Sequence, residues 1–146
     1  MITLAHASAS STATPTRFFE RWVDHASWTQ WSPDAEWVTV EGPVQLGARG
    51  KLKPVGGPVV PFTITALEAD REYTDSSKLF GATLVFQHLV EATATGSRLE
   101  VTVTVSGPLA KLWVAILGKG FAESAPADLD RLIALAENAS VSSHSA

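Results

Sequence analysis

The sequence predicts an α+β fold in which a curved antiparallel sheet of about seven strands wraps around a long C-terminal helix, with two short helices after the first strand. Three observations predict it. Between Glu36 and Ser106 the side chains alternate with period two between short Gly- and Pro-bearing turns. From Leu109 to Ala136 apolar residues recur at three- and four-residue spacing. Thr14-Pro15 places a favoured cap and a first-turn proline between an early extended segment and the alternating region.

Residues Ile2 to Ser10 alternate larger and smaller side chains without Gly or Pro, which suits a strand. Pro15 to about Asp24 reads helical, with Phe18, Phe19 and Trp22 inward. A second short helix runs from His25 to Trp31 and ends at Ser32-Pro33, because the residue before proline avoids helical backbone. Trp28 and Trp31, three apart, share a side. Turn signals at Glu41-Gly42-Pro43, Gly56-Gly57-Pro58, Ala69-Asp70, Phe80-Gly81 and Thr95-Gly96 cut out six strands, 36–41, 46–53, 59–68, 71–78, 82–92 and 97–106. Their short connections favour a meander. Leu84, Phe86, His88 and Val90 share one face of their strand, and Leu99, Val101, Val103 and Val105 share one face of the next. Gly107-Pro108 ends the last strand. Pro126 predicts a kink in the terminal helix, since the apolar spacing resumes at Leu129. The expected organisation is one domain over 1–137 and a Ser-rich flexible tail over 138–146.

Composition narrows the chemistry. With 11 Lys+Arg against 15 Asp+Glu the net charge is −4, and no basic cluster offers a phosphate-neutralising surface, so nucleic acid is not an expected partner. Zero cysteines remove disulfides, thiolate catalysis and Cys-ligated metals. His6, His25, His88 and His144 have no ligand spacing, so no metal or other cofactor is expected. The longest apolar run, Leu112 to Leu117, is far short of the roughly 20 residues that span a bilayer, and the first 20 residues lack a leader pattern. A cytoplasmic protein without membrane insertion is expected, as a monomer or homodimer. Gly42 to Gly47 has the glycine spacing of a phosphate loop, but Ala48-Arg49 follows where Lys and Ser/Thr are needed.

The order of elements, together with Ala13-Thr14-Pro15, the segment Asp24 to Pro33, Gly96-Ser97-Arg98 and Ser106-Gly107-Pro108-Leu109, resembles the SRPBCC superfamily, in its polyketide cyclase/dehydrase and START-like branch. The similarity covers residues 1 to about 137. It implies a helix-grip fold and a ligand cavity, and it brings no catalytic signature. Gly56-Gly57-Pro58 is only a short hairpin, so the likeness to the branch of the plant pollen allergens, with its Gly-rich loop, is poor.

A sheet bent around one helix leaves room, and small inward residues such as Ala48 and Gly50 widen it. An apolar void of roughly 300 Å³ would cost on the order of 7 kcal/mol at about 24 cal/mol per Å³, comparable with a domain's stability, so a retained cavity is expected to be used. The expected lining is Gly50, Phe62, Tyr73, Phe86, His88 and Val103 from the strands, with Trp28, Trp31, Trp113 and Phe121 from the helical segments. Trp22 and Trp113 also suit plain packing.

His88 is a polar ring on an apolar face and needs a partner, for which Asp75 or Tyr73 on the adjacent strand is in reach. The simpler role is a pocket-wall histidine that orients a ligand. A His88–Asp75 pair acting as general acid/base is the catalytic alternative. Arg49, Lys51 and Lys53 alternate on one face and read as a solvated outer row. The function expected is binding of a small hydrophobic molecule, lipid-like, aromatic or polyketide-like, between sheet and C-terminal helix by a carrier or sensor. The alternatives are a cofactor-independent cyclase or dehydratase, to which the resemblance points, and a module that binds a protein through a sheet edge or helix face.

Overall fold

A computed structural model describes the backbone of residues 1–145 and the side chains of 1–138, so that the expected Ser-rich tail over 138–146 falls almost wholly outside the residues whose side chains are described. Alternation and turn chemistry produce seven strands: β1 (Ile2–Ser11), β2 (Ala35–Val40), β3 (Arg49–Pro54), β4 (Val60–Glu68), β5 (Glu72–Leu79), β6 (Ala82–Thr93) and β7 (Gly96–Ser106). Helix α1 (Pro15–Val23) starts at the proline, and a 3₁₀ helix (His25–Gln30) follows it directly. Helix α2 (Ala110–Ser145) closes the chain.

The strands form one antiparallel sheet in the order β1-β7-β6-β5-β4-β3-β2. Chain neighbours pair throughout β2 to β7, and β1 joins the far edge beside β7, giving the helix-grip arrangement. Register sets the inner face. Tyr73 stands opposite His88, Asp75 opposite Phe86, and Phe86 opposite Val103, so all five share the inner side. An irregularity between Ile64 and Ala66 returns Leu67 to the face of Tyr73. Arg49, Lys51 and Lys53 alternate with Gly50 and Leu52 on the other face, where Lys53 reaches Glu36 at 2.7 Å.

Two buried clusters fill the inner side. The larger joins Phe18 and Trp22 of α1 to Phe62, Ile64, Tyr73 and Val90 of the sheet and to Leu129, Leu132 and Ala136 of α2. The smaller joins Leu4, Leu84, Val103 and Val105 to Ala110 and Ala125, with Phe86, Trp113 and Phe121 packed at its margin. Helix α2 runs on through Pro126, and its two halves thus serve different clusters. Leu112 and Ile116, inward by spacing, are instead 52% and 59% exposed, because α2 lies chiefly along β1 and only its other stripe meets the sheet.

Small inward residues were expected to leave space, and here the structure differs. A Cβ built on Gly50 would strike the Phe62 ring and come within 2.5 Å of the Thr39 carbonyl oxygen. Glycine therefore admits Phe62 rather than leaving a void. Gly50→Ala should destabilise the fold by about 1–3 kcal/mol, because the ring can swing away but the backbone of β2 cannot. Urea unfolding measures this, and an unchanged midpoint would remove Phe62 from its seat over Gly50.

Candidate functional site

The inner face of β4, β5 and β6 is roofed by aromatic rings from the segment after Asp24. A 3₁₀ helix has three residues per turn, so His25, Trp28 and Trp31 at spacing three line up on one side of it. Trp28 is the hub. Its ring lies 4.7 Å from that of His25, 5.4 Å from Trp31 and 5.6 Å edge-on from Tyr73, with Phe62 nearly parallel at 6.4 Å. Trp22 approaches His88 at 5.4 Å, four residues after Phe18 on the inward stripe of α1. The Trp28 indole N–H donates to the Trp22 carbonyl at 3.1 Å, which ties the roof to α1.

A polar chain runs through this apolar setting. His25 Nε2 is 2.7 Å from the Tyr73 hydroxyl, which is 3.0 Å from Asp75 Oδ2. All three side chains are buried. Burial pushes the Asp75 carboxyl up to about 7, against the opposing effect of the Tyr73 hydrogen bond. Burial and the neighbouring Asp75 raise the Tyr73 hydroxyl further above its ordinary range, so it keeps its proton. Burial lowers His25 to about 4, partly opposed by the Val23 carbonyl and Asp24, and lowers His88 to about 4, partly opposed by the Tyr73 and Phe86 carbonyls. Both imidazoles are neutral at pH 7.

His88 Nδ1 lies 3.1 Å from the Tyr73 carbonyl oxygen. A carbonyl only accepts, so in the neutral ring Nδ1 carries the proton and Nε2 the lone pair. Asp75 is not its partner: its hydrogen bond goes to the Tyr73 hydroxyl, two residues along the same strand face, and the expected His88–Asp75 pair does not form among the described hydrogen bonds. Among the described residues three buried ring nitrogens, Trp22 Nε1, His25 Nδ1 and Trp31 Nε1, make no hydrogen bond of ordinary geometry, the Val23 carbonyl acting on His25 only from outside that range. Leaving such a group unpaired costs about 1–3 kcal/mol.

The structure brings together Trp28, Trp31, Gly50, Phe62, Tyr73, Asp75 and His88 of the expected set. It separates Phe86, Val103, Trp113 and Phe121, which belong to the smaller cluster, where Phe86 meets Phe121 edge-on at 5.3 Å and the Trp113 indole donates to the Phe80 carbonyl at 2.8 Å. Two surface hollows, one of about 220 Å³ bordered by Arg17, Asp24 and Ala136 and one of about 110 Å³ bordered by Arg71, Val90 and Arg98, are lined by none of these rings. The room expected beneath the helix is taken by the protein's own aromatic side chains. Among the described residues no group of three His, Asp or Glu side chains is placed to hold a metal ion.

Sequence reasoning did not place His25 in this cluster. The available signal was its spacing of three before Trp28, the spacing that paired Trp28 with Trp31. The roof is fastened by short polar contacts: Ser32 donates to Asp128 of α2 at 2.8 Å, and Arg21 of α1 donates to Gln30 at 3.0 Å.

The profile of the family described as polyketide cyclase / dehydrase and lipid transport matches residues 3–137. A comparison with curated proteins returns no significant match. Among solved structures, protein MLL2253 from Mesorhizobium loti is 14% identical with a TM-score of 0.70, over 92% of this chain and 96% of that one. Hypothetical protein jhp0584 from Helicobacter pylori is 14% identical with a TM-score of 0.74, over 90% and 86%. The di-domain ARO/CYC StfQ from the steffimycin biosynthetic pathway is 11% identical with a TM-score of 0.76, over 95% of this chain and 52% of that one. At these identities the likeness is one of fold. No described helix is long and apolar enough to cross a membrane.

Proposed function

The chain belongs to the polyketide cyclase / dehydrase and lipid transport family, and from that premise we propose that it binds a small, mainly apolar and aromatic molecule bearing oxygen atoms, between the 3₁₀ helix and the inner face of β4 to β6. The carrying observation is the set of three ring nitrogens without a hydrogen bond of ordinary geometry within one aromatic cluster. Acceptor oxygens on a planar guest satisfy the indole N–H groups, while Trp28 and Phe62, only 11° from parallel, offer faces for a third ring. Entry requires the roof to lift. The 3₁₀ helix suits that task, being six residues long with no side-chain cap at its start. In this reading the protein is a carrier or sensor working in the cytoplasm, and His88, held through Nδ1, orients the guest.

The test is a titration with 1,8-dihydroxyanthraquinone, a planar probe with hydroxyl and carbonyl oxygens, followed by tryptophan quenching. Saturable quenching at micromolar probe is expected, weakened about tenfold in Trp31→Phe, which keeps a ring but loses the N–H, equivalent to about 1.4 kcal/mol. Absence of quenching in the wild type would overturn the reading.

A second reading is favoured by the polar chain. A cofactor-independent cyclase or dehydratase needs a proton acceptor inside an apolar site, and His25, Tyr73, Asp75 and His88 are titratable groups buried beside the rings. His88 Nε2 is the lone-pair side available to a guest, with Asp75 acting through Tyr73 rather than on His88 directly. Turnover of a bound poly-β-carbonyl compound, lost in His88→Gln with binding retained, distinguishes this reading from carriage.

A further inference from the structure

The proton count along His25–Tyr73–Asp75 allows two arrangements. Tyr73 has one hydroxyl proton and two neighbours. When Asp75 is ionised it only accepts, so the Tyr73 O–H donates to Asp75 and the Tyr73 oxygen must accept from His25 Nε2–H. The neutral imidazole then has a bare lone pair at Nδ1. When Asp75 is protonated, its O–H donates to the Tyr73 oxygen and the Tyr73 O–H turns to His25 Nε2. The imidazole proton then sits on Nδ1. The tautomer of His25 thus reports the protonation of a carboxyl that lies one hydroxyl away.

We infer that Asp75, Tyr73 and His25 form a buried proton relay whose exchange end is His25 Nδ1, able to take a proton from, or return one to, a phenolic or enolic hydroxyl of a bound molecule. The step balances. The ligand O–H breaks as Nδ1–H forms, His25 Nε2–H passes to the Tyr73 oxygen, and the Tyr73 proton passes to Asp75. The ligand becomes an anion and Asp75 becomes neutral, with no net change in protein atoms other than one proton gained. Among the described residues Nδ1 makes no hydrogen bond of ordinary geometry, though the Val23 carbonyl faces this side of the ring and favours a proton there, and the ring is only 5% exposed among Trp28 and Phe62.

The surroundings suit the task. Asp24 adjoins His25 on its own segment, and His88 of β6 stands 5.7 Å from the Tyr73 ring. Among the described residues no ion pair reaches Asp75, so no cation pins its charge. Asp75 titrates near neutrality, whereas His25 stays neutral down to about pH 4, so the tautomer can exchange without the ring becoming charged.

The ligand half of the inference rests on the binding reading, but the relay itself is a property of the free protein, and this separates the two tests. Two-bond ¹H–¹⁵N spectra of histidine-labelled free protein assign the His25 tautomer across pH. Expected is the Nε2–H form above neutrality and the Nδ1–H form below, with a midpoint near pH 7, and no such exchange in Asp75→Asn. A wild-type tautomer that does not change with pH, or one that changes equally in Asp75→Asn, overturns the relay. Should Asp75→Asn fail to fold, Tyr73→Phe, which removes the bridging hydroxyl, must abolish the exchange. Exchange without anthraquinone quenching supports the relay and rejects the binding reading; quenching without exchange does the reverse.

Discussion

Trp28→Ala should destabilise the protein by about 3–5 kcal/mol, the range for removing a buried tryptophan, against a total that for such domains is about 5–15 kcal/mol. The indole touches His25, Trp31, Phe62, Tyr73 and His88 and also ties the 3₁₀ helix to α1 through the Trp22 carbonyl. The melting temperature should fall by roughly 10 °C or more. The truncated site is walled by rings that cannot all collapse into the gap, so it should take free indole. Adding indole should then raise the melting temperature of the variant and leave the wild type unmoved, since a ligand stabilises only a state that binds it. A variant indifferent to indole would mean that the roof closes on itself, and the binding reading would lose its site.

Asp75→Asn should be more stable than the wild type at pH 8, by on the order of 4 kcal/mol. The carboxyl holds its proton to about pH 7 in the folded chain but only to about 3.8 when unfolded. Between those values the folded state binds more protons, so this contribution to stability is complete in acid and is lost as pH rises toward 7. His25 and His88 act in the opposite sense: lowered from 6.5 to about 4, they contribute above pH 6.5 and lose that contribution as pH falls toward 4. Asp128, raised to about 6 mainly by burial, adds to the sense of Asp75. The opposed groups flatten the wild-type profile between about pH 4 and 6. Removing Asp75 unbalances it, so the variant should weaken more steeply below pH 6.5. Urea midpoints at pH 5 and pH 8 check both statements, and a wild-type-to-variant difference independent of pH would refute them.

The sheet was legible because its cause is local. Alternation in residues 82–106 identifies the inner face, and that face is the one the register assembles from Tyr73, Asp75, His88 and Val103. Pro15 and Ser32-Pro33 bracket the two short helices for equally local reasons. The candidate site was legible only in part. Tyr73 and His88 are cross-strand neighbours, as their strands implied, yet the partner of Asp75 was decided by which side-chain atoms meet, and alternation alone does not contain that. His25 joins Tyr73 across 48 residues of chain, a meeting that the 3₁₀ helix makes by laying one side on the sheet. The expected void failed because a small residue in a sequence does not say whether a neighbour's ring will occupy the space above it, as Phe62 does over Gly50. The exposure of Leu112 and Ile116 escaped notice because their spacing matches that of the buried stripe beside them.

Pro126 cannot donate to the Ala122 carbonyl one turn earlier, and both residues face water, which satisfies the freed oxygen. That missing rung is the point where bending α2 takes least work. Leu129, Leu132 and Ala136 press on the larger cluster, and Asp128 grips Ser32 at the end of the aromatic roof. Bending at the proline would shift Asp128, which holds the roof through Ser32, relative to Ala110 and Ala125 on the other cluster.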